Sequence, residues 1–83
     1  MNVDTFIVQQ FLTKRNKLAK GQATPARTRH HALNDAQRIA TRAEGVAVLH
    51  VVADDETGEV CSIDVLARHG SIPEAFEEEI RAG

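Results

Sequence analysis

Residues able to do chemistry are few in this chain, and their spacing decides little. His31 and Asp35 stand four apart, so on a helix both would project from one side, as helix-borne metal ligands do. A zinc or iron site needs a third and usually a fourth protein ligand, and only His30, His50 and His69 remain, with no spacing to direct them. A solvated helix face accounts for the same letters. The acidic run Asp54, Asp55, Glu56 lacks the spaced oxygens and distal bidentate acid of a calcium loop and reads as an exposed hairpin tip. His50 and Asp64 fall on neighbouring strands and could pair as acid and base, although a structural cross-strand hydrogen bond is the commoner outcome. Cys61 is the single cysteine, without a CxxC partner, and the alternation around it points its thiol into the core, where it would be inert. No nucleophile motif such as a Gly-flanked Ser is present. These residues predict no enzyme, no cofactor, no metal and no small-molecule substrate.

The elements that must carry these residues centre on Gly45 to Gly70. Val46 to Ala53 is apolar but for His50, and its four valines suit a pleated surface. Being apolar on both faces, it reads as a central strand or one whose second face meets another chain. Glu59 to Arg68 alternates, with Cys61, Ile63, Val65 and Ala67 one way and Ser62 and Asp64 the other. Asp54 to Gly58 supplies an Asx-type turn and a glycine able to take positive φ. The implied register groups Leu49 and Val51 with Ile63 and Val65, and places His50 opposite, near Ser62 and Asp64.

Upstream, Thr5 to Leu12 fits either a helix, through Val3, Ile7 and Phe11, or a strand, through its dense β-favouring run; it is read as a strand. TKRNKLAKGQATPAR then reads as a long surface loop, with room for a short return strand around Leu18. Thr28 is a credible N-cap, and Ala32, Leu33, Ala36, Ile39, Ala40 and Ala43 form one arc of a helix running to Glu44 and stopped by Gly45. Its other side presents His31, Asp35, Arg38 and Arg42. Ser71-Ile72-Pro73-Glu74 resembles a capping box, opening a short helix with Ile72, Phe76 and Ile80 on one face and an exposed Glu77–Arg81 pair.

The opening TFIVQQF, the turn DDETGE and the closing ARHGSIPE resemble short uncharacterised bacterial proteins with a strand, helix and hairpin layout. The resemblance spans about half of the chain, implies no activity, and favours the strand reading at Thr5 to Leu12.

Composition bounds the rest. The 83 residues predict one domain over 1–83, with a thin core holding three Phe and no Trp or Tyr. A lone cysteine and the lack of a secretion signal or long apolar run make the cytoplasm the expected compartment, away from any membrane. Net charge is −2, but residues 1–42 carry eight cations against Asp4 and Asp35, whereas residues 43–83 carry ten acids against Arg68 and Arg81. The expected fold is α+β: a small antiparallel sheet with the main helix on one face and a short C-terminal helix.

Two functional readings follow. The first is a small non-catalytic protein-interaction module, binding itself as a homodimer or another protein through the valine face of Val46, Val48, His50 and Val52. The second is a nucleic-acid-binding or regulatory protein using Lys14, Arg15, Lys17, Lys20, Arg27, Arg29, His31, Arg38 and Arg42. Against the second stand a pI near 6.0 and the absence of aromatic residues among the cations.

Overall fold

Two β-hairpins laid side by side make the sheet, and the chain's hydrophobic alternation decides which face each helix covers. A computed structural model describes residues 1–82. Strands β1 (Asn2–Lys14) and β2 (Lys17–Ala26) form the first hairpin, helix α1 (Arg29–Ile39) crosses over, β3 (Gly45–Asp54) and β4 (Val60–Gly70) form the second, and α2 (Glu74–Ala82) closes the chain. The sheet is antiparallel throughout, in the order β2-β1-β3-β4. The result is an α+β globule.

The segment Thr5 to Leu12 is indeed a strand, and a central one, flanked by β2 and β3. The expected loop after it is instead the ten-residue edge strand β2. Arg15 and Asn16 both adopt positive φ, 52° and 65°, which gives a two-residue turn whose twist suits the strands it joins. Gly21 and Pro25 look like breakers in sequence, but an edge position tolerates both, since proline's missing N–H costs nothing where that side of the strand has no neighbour. The register slips between Gln9 and Phe11, and the buried Gln9 fills that irregularity, its Nε2 donating to the carbonyls of Gln10 and Gly21.

Helix α1 starts as its sequence signals demand: the Thr28 hydroxyl accepts from the His31 amide at 3.1 Å. It stops at Ile39 rather than continuing to Glu44. The Thr41 hydroxyl donates to the Arg38 carbonyl at 2.8 Å, and the Arg42 and Ala43 amides converge on the Ile39 carbonyl, so the last turns close early and aim the chain into β3. Ala32 and Ala36, fully buried, let the helix lie against Val8, Val46 and Val48. On the opposite face α2 brings Phe76 edge-on to Phe11, ring centroids 4.9 Å apart, with Ile72 and Ile80 beside Ala47 and Leu49. α2 begins at Glu74, just past Pro73, and Glu77 pairs with Arg68 of β4 rather than with Arg81 along its own helix.

The second hairpin follows its expected register, with Leu49 opposite Val65, Val51 opposite Ile63 and His50 opposite Asp64. Its turn forms as read: Asp54 Oδ1 accepts from the amides of Glu56 and Thr57, and Gly58 takes a φ of 76°. Two bulges interrupt β4, and one of them overturns the expectation for Cys61. Val52 faces Ser62 but Ala53 faces Val60, so Cys61 is the extra residue and lies exposed, its Sγ 3.6 Å from Asn2 Oδ1.

Candidate interaction surface

Helix length determines what the sheet leaves bare. At about 1.5 Å per residue, α1 and α2 are about 17 and 14 Å long. At about 3.3 Å per residue, the ten residues of β3 run about 33 Å. Two such helices cannot cover the sheet from end to end, and the molecule is drawn out to 41 Å along its longest axis. Both helices pack toward the end where Phe11, Gly45 and Gly70 meet, and β2 stops opposite Phe6.

Beyond that point lie Asn2–Thr5 of β1, Val51–Asp54 of β3 and Val60–Asp64 of β4, joined by the acidic tip 55–59. Alternation gives the two faces of this distal end different chemistry. Pairing sets Val3 beside Ala53, Ala53 beside Val60, and Val51 beside Ile63, all on the side that carries α2. Val51 still touches the Phe76 cluster, whereas Val3, Ala53, Val60 and Ile63 lie outside it. Val3 and Val60 are 44% and 46% exposed and, with Met1, are the exposed large apolar residues among those described. All three sit at this one end. The reverse face carries Asp4, Val52, Ser62 and Asp64 around His50, so the same backbone is apolar on one side and largely polar on the other.

His50 is held by β1 rather than by its register partner. Its Nε2 lies 2.8 Å from Asp4 Oδ1 and its ring stacks on Phe6 at 4.8 Å and 13°, so the expected pairing with Asp64 is replaced by one with Asp4. The side chain is thereby used for cross-strand cohesion.

The valine surface expected to receive a partner is already occupied. Val46 and Val48 have no exposed surface, because α1 lies over them, and only His50 and Val52 reach past its end, each half-buried. The alanine-rich helix covers the valine side, where Val8, Val46 and Val48 share a face, and Phe76 takes the other.

The nine basic-surface residues do not form one surface. Lys14, Arg15 and Lys17 cluster at the β1–β2 tip, at the opposite end of the sheet from the acidic tip. Lys20 lies on the α2 side, 2.9 Å from Glu79 and 5.4 Å from the Phe76 ring centre. His31 and Arg38 lie on the outer side of α1, both directed at Asp35, at 3.7 and 2.9 Å. Arg27 and Arg29 flank the Thr28 cap. Arg42 follows α1 and lines an open groove of ≈ 280 Å³ with Gln10, Phe11, Leu12, Ala43 and Glu44. The Glu44 carboxylate in that groove is taken by the Thr13 hydroxyl and by the Thr13 amide at 3.0 Å, bonds that hold it below the usual carboxylate range. The one carboxylate of the groove is therefore already engaged.

Among the described residues, no helix is long and apolar enough to cross a membrane. Comparison with known proteins finds no matching family model, no matching curated protein and no matching solved structure. The distal apolar strip was not singled out by sequence. The signal was present in the length mismatch between strands and helices, but only the position of the helices along the sheet turns that mismatch into a location.

Proposed function

We propose that this chain is a non-catalytic protein-interaction module whose contact surface is the distal apolar strip, in which Val3 and Val60 are exposed and Ala53 and Ile63 half-buried. The observation that supports this reading is the gathering of exposed large apolar side chains on one face of one end, beyond the reach of α2. Scattered exposed apolar residues are ordinary, but a contiguous set beside a polar reverse face marks a surface that a partner covers. The sheet edges support the same reading. β2 ends at Ala26, so Asn2–Thr5 has no strand on its outer side. Strand β2 itself carries Lys17, Lys20, Gly21 and Pro25, residues that discourage pairing.

A photoreactive residue placed at Val60 of the full chain tests this in cells of the source organism. Adducts with protein are expected from Val60 and not from Gln22, an exposed position on β2. No adduct from Val60, or the same adducts from both positions, defeats the reading.

A further inference from the structure

We infer that the β1–β2 hairpin tip is a DNA-binding arm, which enters the major groove of a duplex and neutralises backbone phosphates through Lys14, Arg15, Lys17 and Arg42. The arm lies at the opposite end of the sheet from the apolar strip and does not depend on it.

Shape is the first ground. Phe11 is the last residue of β1 with a partner on β3, and the hairpin runs on to Lys14, a further reach of about 10 Å at about 3.3 Å per residue. Thr13 to Lys17 are all exposed. A two-stranded ribbon of this kind fits a major groove about 12 Å wide and about 8.5 Å deep, whereas a minor groove about 6 Å wide is narrower than two strands with their side chains.

The second ground is positive charge that the chain leaves unanswered. Lys14 and Lys17 are direct cross-strand partners, an unfavourable placement of like charges, and Arg15 follows Lys14 in the turn at a φ of 52°. Val8 lies in the α1 cluster, so alternation along β1 puts Lys14, and Lys17 opposite it, on the α1 side. Arg42 lines the groove beside Leu12 at the base of the arm. Lys20, Arg38 and Arg68 each meet a carboxylate, whereas among the described residues these four cations meet none. Glu44, at the same base, is engaged by Thr13.

The net charge of −2 is consistent with such a site because the acids stand elsewhere. Asp54 pairs with Asn2, so the acidic tip lies about 40 Å from Lys14 along β1, several times the distance of about 10 Å over which charges interact at about 0.1 M salt. The acids of α2 lie over the other face of the sheet.

The third ground separates DNA from other polyanions. A protein interface has an apolar centre, and a segment that binds a membrane surface inserts apolar side chains. Thr13 to Lys17 contain no apolar residue. Duplex phosphates, closely and regularly spaced, bind cations through release of condensed counterions and need no apolar contribution.

Fluorescence anisotropy of a labelled, mixed-sequence DNA duplex titrated with the purified full chain tests the arm. Expected is micromolar binding at about 50 mM salt that weakens about a hundredfold by about 200 mM, a slope of about −3 to −4 in log affinity against log salt for four phosphates. Lys14→Ala and Lys17→Ala should keep the circular dichroism spectrum and each make that slope shallower by about 1. Arg29→Ala, at an exposed cation at the other end of α1, should change neither slope nor affinity. An RNA duplex of the same sequence, whose major groove is deep and narrow, should bind at least about tenfold more weakly. No binding at low salt, equal loss from Arg29→Ala, or equal affinity for the RNA duplex overturns the arm as a DNA-binding element. Tighter binding to polyglutamate or to phosphatidylserine vesicles than to the DNA duplex also overturns it, and assigns the arm to an acidic protein or to a membrane surface.

Discussion

The two ends of this sheet are built from similar strands and differ in what lies over them. At the end where Phe11, Val46 and Val48 sit, α1 and α2 cover both faces and those side chains have no exposed surface. At the other end the same three strands continue with Val3, Ala53, Val60 and Ile63, and neither helix reaches that far. The difference lies in coverage rather than in composition. The clad end carries the fold's stability, and the bare end holds apolar surface that the isolated chain leaves in water. The clad end also holds the close backbone approaches. The Ser71 amide donates to the Glu44 carbonyl at 2.9 Å, and Gly45 packs against the Ser71 backbone so tightly that a Cβ there would collide with the Ser71 carbonyl oxygen.

Substitutions that differ only in which end they strike test this contrast. Phe11→Ala empties a fully buried site that meets Phe76 edge-on and should cost about 3–5 kcal/mol by urea unfolding. Val3→Ala, at the bare end of the same strand, should stay within about 0.5 kcal/mol when measured at protein concentrations that keep the chain monomeric. Equal losses would abolish the distinction between the ends. Gly45→Ala should destabilise by at least about 2 kcal/mol through displacement of the β4–α2 connection, and a thermal melt indistinguishable from that of the unmodified chain would show that the connection yields freely.

The smallest expected effect is that of acid on the clad end. Thr13 holds the Glu44 carboxyl below its ordinary value of 4.5, and the Arg68 guanidinium does the same for Glu77. A carboxyl whose pKa is lower in the folded state binds fewer protons there than in the unfolded chain. Its contribution is therefore complete above 4.5 and is lost as pH falls through the lowered folded-state value. Glu44 is exposed and Glu77 is half-buried at the surface, so the effect is small. Thermal melts between about pH 6 and about pH 3 should show a decline below 4.5 that Glu44→Gln and Glu77→Gln each make shallower. An unchanged decline in both variants would show that neither carboxyl contributes to the acid sensitivity.

Much of the architecture was legible because it rests on local chemistry. The Asp54–Gly58 turn, the pairing of Leu49 and Val51 with Val65 and Ile63, and the Thr28 cap each depend on residues close in sequence or on strict alternation. What escaped depends on long-range context. Strand β2 escaped because Gly21 and Pro25 are breakers everywhere except at an edge, and edge status is a property of the sheet. Cys61 was expected inward because alternation was counted through a bulge. His50 was matched with Asp64 across β4, whereas Asp4, far away in sequence on β1, provides its hydrogen bond.

Sequence alone therefore determined that this chain forms a β-hairpin beside an alanine-rich amphipathic helix, since periodicity, capping and turn chemistry are short-range and act before any tertiary contact exists. Only the tertiary structure decided which valines are covered and which are left in water. That outcome depends on where along the sheet two short helices come to rest, and thus on the packing of Ala32 and Ala36 on Val48 and of Phe76 on Phe11, which no local pattern encodes.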